Sequence, residues 1–129
     1  MTSEEMKNRT KQFALRVIRL VESLPNTKST QVIGKQLLRC GTSVGANYRA
    51  VCRAKSTADF INKLAIVEEE ADEAIYWIEL LVESNQIKQN LVANLLDETD
   101  QILSIVVSAI KTSKEKRNPK SEFPNPKSI

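Results

Sequence analysis

Apolar residues recur every three or four positions through four segments of the chain, which is the period of an amphipathic α-helix. The third segment has the clearest pattern, formed by Phe60, Leu64, Val67, Ala71, Ala74, Ile78 and Leu81. Turn-forming residues interrupt the pattern at Pro25-Asn26-Thr27 and at Ser84-Asn85-Gln86, because proline cannot continue a helix and small polar residues favour turns. We therefore predict helices over residues of about 3–24, 29–55, 57–84 and 88–112.

Four long helices with short connections predict an all-α fold, an antiparallel up-down four-helix bundle formed by residues 1–113 as one domain. Residues 114–129 are rich in Pro, Ser and Lys, and we predict a disordered basic tail there. No apolar run approaches the roughly 20 residues that span a bilayer, and the N-terminal segment lacks the apolar core of a secretion signal. We expect a cytoplasmic protein with no membrane partner.

The segment from Leu37 to Arg49 is unusual for a helix interior, because it contains two of the three glycines of the chain, Gly41 and Gly45. Glycine in a helix interior costs about 1 kcal/mol relative to alanine, so two of them at a spacing of four need a physical reason. A face without Cβ atoms lets another helix come close, from the same bundle or from another subunit. A ligand site between Arg39 and Arg49 is the alternative, and helix contact needs fewer assumptions.

The charges of the chain are divided between its two halves. Residues 1–63 contain twelve lysines and arginines against four acidic residues, a net charge of +8, whereas residues 64–110 contain one lysine against ten acidic residues, a net charge of −9. The basic half can bind phosphates, or it can meet the acidic half of a neighbouring copy in a head-to-tail ring. The candidates for contact with nucleic acid are Arg16, Arg19, Lys35, Arg39, Arg49, Arg53 and Lys55.

Several polar and aromatic residues lie close to the apolar stripes. Asn47 falls on the apolar face of the second helix, and Glu70 and Glu73 are possible partners for Asn47, Tyr48 or Arg49. A buried polar network explains these residues better than a ligand site does. The residues that we assign to helix packing or subunit contact are Gly41, Gly45, Asn47, Tyr48, Glu70, Glu73 and Trp77.

The composition argues against an enzyme. The chain has no histidine, which removes the commonest general base and metal ligand. Consecutive carboxylates of the third helix point around the helix and do not converge on one ion. Cys40 and Cys52 are too far apart on one helix to form a disulfide, and we expect both to be small buried residues. We therefore predict no catalytic residue, no metal and no cofactor.

Two runs of residues resemble a known family. They are Gly41-Thr42-Ser43-Val44-Gly45-Ala46-Asn47-Tyr48-Arg49 and Ser56-Thr57-Ala58-Asp59-Phe60-Ile61-Asn62-Lys63-Leu64, followed by Glu70-Ala71 and Trp77. They are similar to bacterial four-helix bundle proteins related to those encoded in intervening sequences of 23S ribosomal RNA genes. The resemblance implies a ring-like homopentamer. It extends to the accessory protein of diversity-generating retroelements, which works with a reverse transcriptase and nucleic acid.

These observations lead to two functional hypotheses. The first is an oligomeric accessory protein without enzymatic activity that contacts the RNA or DNA backbone through helices one and two. The second is a scaffold for protein–protein interaction, with a reverse-transcriptase-like or another protein as its partner and no nucleic-acid binding. A steep fall of binding with salt distinguishes the first from the second.

Overall fold

A computed structural model describes residues 1–117. They form four α-helices, and no strand occurs among them: α1 (Ser3–Glu22), α2 (Lys28–Val51), α3 (Thr57–Glu83) and α4 (Gln89–Arg117). Consecutive helices pack against each other, and α1 closes the circle through a much smaller contact with α4. The prediction of an all-helical four-helix bundle is confirmed.

Side chains with hydroxyl groups set the starts of the first three helices. The caps are Thr2, Thr27 and Ser56, whose oxygens each accept a hydrogen bond from the backbone N–H three residues later. Such caps satisfy N–H groups that have no partner inside the helix. The end of α3 is set by Asn85, whose φ of 64° is left-handed, and Gln86 then donates its N–H to the carbonyl of Leu81 at 2.9 Å. Asparagine tolerates this conformation better than most residues do.

Two helices end four or more residues away from the predicted position. α2 ends at Val51 and not near residue 55, because Arg53 and Ala54 donate to carbonyls only three residues back and so tighten the last turn. α4 continues to Arg117, so the predicted disorder is wrong for residues 114–117. The positive charges of the basic residues in that last turn interact favourably with the negative end of the helix dipole. The remaining part of the predicted tail, residues 118–129, lies outside the described residues.

The inward faces of all four helices meet in one apolar core. Its fully buried members include Phe13, Val17, Leu37, Cys40, Val44, Leu64, Val67, Ala71, Ala74, Ile78, Leu81, Ile102 and Val106. Two buried threonines satisfy their hydroxyls within their own helices, since Thr10 donates to the carbonyl of Met6 at 2.9 Å and Thr99 to that of Leu95 at 2.7 Å. Within residues 1–117, no helix is both long and apolar enough to cross a membrane.

Candidate nucleic-acid interface

The contact between α1 and α2 is close because the glycines of α2 face α1. A Cβ atom added to Gly41 would lie 2.8 Å from Cγ1 of Val17, and one added to Gly45 would lie 3.3 Å from the carbonyl oxygen of Thr10. Real Cβ atoms hardly ever approach as closely as the first of these distances. The sequence allowed the neighbouring helix to come from the same bundle or from another subunit. The structure places α1 of the same chain against these glycines.

A groove with a volume of about 560 Å³ runs along the outer side of this contact, and we call it the α1–α2 groove. Lys7 and Lys11 of α1 and Arg49 of α2 bring positive charge to it, while Gly45 and Ala46 leave space. Its volume falls within the range of about 300–1,000 Å³ typical of ligand sites. The residues that line it are Glu4, Lys7, Asn8, Lys11, Ala14, Thr42, Gly45, Ala46 and Arg49.

The positive charge of this groove is only partly neutralised. The ammonium of Lys7 lies 3.2 Å from a carboxylate oxygen of Glu4, and both side chains are open to solvent. Within residues 1–117, no carboxylate lies within 4 Å of Lys11 or Arg49. The arrangement can therefore attract an anion at neutral pH.

The seven predicted basic candidates do not form the single surface that the sequence suggested. Lys35 shares the exposed outer face of α2 with Arg49, since their spacing of 14 residues is close to four helical turns. Arg53 lies two residues after the end of α2, where its Nη1 donates a hydrogen bond of 3.4 Å to the carbonyl of Arg49. Arg16 and Arg19 instead line a separate groove of about 380 Å³ between α1 and α4.

Lys55 lies at another place, in a cavity of about 550 Å³ at one end of the bundle. Tyr48 and Cys52 line the same cavity. Burial and, to a lesser extent, the nearby thiol of Cys52 raise the pKa of the Tyr48 hydroxyl to about 12. The expectation that Cys52 is buried is wrong, because its position after the last residue of α2 leaves it exposed.

Arg39 has a different role from the other candidates, because it joins α2 to α3. It donates hydrogen bonds to Glu70, at 3.1 Å between Nη1 and Oε1, and to Glu73. The carboxylate of Glu73 also accepts a hydrogen bond of 2.9 Å from Nε1 of Trp77. These four side chains, Arg39, Glu70, Glu73 and Trp77, form what we call the Arg39 network, and it places Trp77 at a helix contact.

The predicted partners of Glu70 and Glu73 were wrong. Asn47 donates from Nδ2 to the carbonyl of Ser43 at 2.8 Å, within its own helix. The reason is the antiparallel packing of α2 and α3, in which later residues of α2 face earlier residues of α3. The middle of α3 therefore faces Arg39, and Asn47 lies beyond its reach.

The described residues offer few groups for catalysis. Burial raises the pKa of the Cys40 thiol to about 12, so this sulfur is a poor nucleophile at neutral pH. No cluster of three or more histidine, cysteine or acidic side chains that could hold a metal occurs within residues 1–117. The chemistry that the surface offers is attraction between fixed cations and an anion.

The sequence interpretation missed Lys7 and Lys11, the two lysines that α1 contributes to the α1–α2 groove. They are four residues apart and therefore share one face of α1, which is a signal that the sequence contains. Their closeness to Arg49 was not visible, because it depends on Gly45 packing against Thr10.

The protein is a four-helix bundle with one apolar core. It carries a basic groove on the outer side of its first two helices. The chain belongs to the family of the 23S rRNA-intervening sequence proteins, whose model matches residues 3–108. This confirms the resemblance seen in the sequence.

Several chains of solved structures match this chain, and one of them is similar over most of it. It is the crystal structure of a protein of unknown function from the S23 ribosomal protein family of Bacteroides thetaiotaomicron. The two sequences are 39% identical, the match covers 86% of this chain and 99% of that chain, and the TM-score is 0.79. A search of curated proteins found no match. The function must therefore be argued from the surface of the molecule.

Proposed function

We propose that this protein is a non-enzymatic accessory protein that binds the RNA or DNA backbone through the outer surface of α1 and α2. We call this surface the basic face, and it consists of Lys7 and Lys11 of α1, Lys35 and Arg49 of α2, and Arg53 just after the end of α2. The observation that carries the proposal is the lack of acidic partners there. Within residues 1–117, only Lys7 of these five residues has a carboxylate oxygen within 4 Å.

Three basic residues elsewhere in the bundle are held by acidic partners. Arg9 is bound by Glu98, Lys63 by Asp59, and Arg39 by two glutamates of α3. Cations without partners on a convex helical surface attract the phosphates of nucleic acids and release their counterions. Such binding is independent of base sequence and weakens steeply with salt. The absence of histidine from the chain agrees with a role without catalysis.

The proposal includes self-assembly into a ring, with a homopentamer as the form that the family resemblance implies. Its support is the opposite sign of the two outer surfaces, because a basic face on one copy and acidic residues of α3 and α4 on the next favour a head-to-tail contact. A ring would align five copies of any part of the basic face that stays open. Several weak phosphate contacts would then act together on one strand.

A protein scaffold is the second candidate function. Ile66 and Tyr76 of α3 expose 42% and 53% of their surface, beside the acidic residues Glu69 and Asp72. Exposed apolar side chains within an acidic surface favour a protein partner over a nucleic acid, because aromatic residues are enriched at protein interfaces. A reverse-transcriptase-like protein is one such partner.

The proposal is tested by measuring how binding depends on salt. Fluorescence anisotropy with labelled single-stranded RNA and DNA of one sequence, at several sodium chloride concentrations, gives the slope of log K against log salt. We expect a negative slope for the unchanged protein. The double variant Arg49→Glu/Arg53→Glu should flatten it by about 0.7 for each phosphate contact that is lost.

The matched control is Lys88→Glu/Lys111→Glu. It changes the net charge by the same amount, but Lys88 and Lys111 are exposed in the α3–α4 connection and on α4, away from the basic face. We expect the control to bind almost as the unchanged protein does. Absence of binding at low salt, binding that does not depend on salt, or equal effects of the two double variants would contradict the proposal.

A further inference from the structure

We propose that the α1–α2 groove is the place where a backbone phosphate binds, and that Glu4 competes with this phosphate for Lys7. The inference rests on the proposed function and narrows it from a whole face to one groove. It separates two kinds of cation within the basic face. Lys7, Lys11 and Arg49 line a concave site, whereas Lys35 and Arg53 do not.

The three cations of the groove converge from two helices. Lys7 and Lys11 are one turn apart on α1, about 6 Å along its axis. Gly45 packs on Thr10, and the two helices run in opposite directions, so Arg49 lies at the level of Lys7, and Ala46 near that of Lys11. A phosphate in the groove is therefore reached from both walls. A cation on a single convex helix offers contact from one side only.

The shape of the groove depends on small residues. Ala14, Gly45 and Ala46 line it, so the space beside the cations is not filled by protein side chains. Ala46 is exposed and packs against no core residue. A larger side chain at this position would occupy the groove without changing any charge, and this separates the shape of the site from its electrostatics.

Glu4 already occupies the position of an anion in the groove. Its carboxylate lies 3.2 Å from the ammonium of Lys7, and its side chain is 83% exposed. An exposed ion pair of this kind is weak and is screened by salt. A phosphate that also contacts Arg49 and Lys11 can therefore displace Glu4 from Lys7, and the strength of binding includes the cost of breaking this pair.

The first test is Glu4→Gln, with the same oligonucleotides and salt series as above. Loss of the competing carboxylate should tighten binding about twofold to fivefold. It should also make the salt slope steeper by up to about 0.7, because Lys7 then releases one more counterion from a single strand. The matched control is Glu22→Gln, which removes the same charge from an exposed position of α1 that does not line the groove. We expect no change of slope for it.

The second test is Ala46→Leu, which fills the groove and keeps the charge. We expect weaker binding, by about threefold or more, and a slope flatter by about 0.7 for each contact that is lost. The matched control is Ala93→Leu at an exposed position of α4. Leucine favours helix nearly as well as alanine, so we expect both variants to fold. Thermal melting monitored by circular dichroism checks this.

The outcomes separate this inference from the proposed function. If Glu4→Gln and Ala46→Leu behave like their controls while Arg49→Glu/Arg53→Glu still weakens binding, the basic face binds nucleic acid and the groove is not the phosphate site. If the unchanged protein does not bind at all, the proposed function itself fails. A gain of affinity with Glu4→Gln together with a loss with Ala46→Leu supports the groove.

Discussion

Two arginines flank the glycine-containing segment of α2, and their surroundings differ. Arg39 lies between Glu70 and Glu73 of α3 and belongs to the Arg39 network. Arg49 lines the α1–α2 groove, and no carboxylate within residues 1–117 lies within 4 Å of it. The same residue type on the same helix thus pairs with two glutamates at one position and has no carboxylate partner among residues 1–117 at the other.

The pairing of antiparallel helices explains this difference. The acidic middle of α3 faces Arg39, whereas the part of α2 that carries Arg49 lies nearer the start of α3. Before Glu68, α3 carries one acidic residue, Asp59, and it is already engaged by Lys63 at 2.6 Å. The hydrogen bond from Lys63 lowers the pKa of Asp59 and keeps it ionised in this pair. Whether an arginine of α2 is paired therefore depends on which part of α3 lies opposite it.

The largest effect is expected for Gly41→Leu, which tests whether the close α1–α2 contact depends on the glycine. Even a Cβ atom at this position would lie within 3 Å of two methyl groups of buried Val17. Overpacking of this kind costs typically 1–3 kcal/mol, and we expect a loss of at least about 2 kcal/mol in the free energy of unfolding. Urea denaturation measures it.

Ala46→Leu on the exposed side of the same helix is the control for this prediction. Substitutions at such surface positions change the free energy of unfolding by less than about 0.5 kcal/mol. An equal loss of stability in the two variants would show that the α1–α2 contact does not depend on the glycine.

A smaller effect is expected for Arg9→Gln, which removes a paired cation of α1. Arg9 holds Glu98 of α4 through two hydrogen bonds of 2.7 and 2.8 Å, and this bond raises the pKa of the guanidinium. Because α1 and α4 have little other contact, we expect a loss of about 1 kcal/mol in the free energy of unfolding. Lys11→Gln, at a cation with no carboxylate within 4 Å among the described residues, should leave thermal and urea unfolding unchanged. Equal losses in the two variants would contradict this distinction between paired and unpaired cations.

Much of the fold could be predicted from the sequence, because helix-forming periods and breakers act locally. The four helices follow from the apolar pattern, and the N-cap of α3 follows from Ser56. The end of α2 was harder to predict, since the residues after Val51 carry no proline or glycine that would stop a helix.

The site could be predicted only in part, because it depends on which helices are neighbours and at what level. Arg49 was a candidate from its position beside Gly45, but Lys7 and Lys11 joined it only once α1 was placed against α2. Arg39 seemed equivalent to Arg49, and a local pattern contains nothing that pairs it with residues more than thirty positions away. Both the grouping of the lysines with Arg49 and the pairing of Arg39 thus depend on contacts between residues distant in sequence.

The proposal requires that Arg39 stabilises the contact between α2 and α3, whereas Arg49 binds a phosphate. The most direct test compares Arg39→Gln with Arg49→Gln, which remove the same charge, by the salt dependence of binding to one labelled single-stranded RNA and by thermal melting. The account predicts that Arg49→Gln flattens the slope of log K against log salt by about 0.7 and keeps the melting temperature. Arg39→Gln should lower the melting temperature and keep the slope. Equal changes of slope in both variants, or no change for Arg49→Gln, would contradict the account.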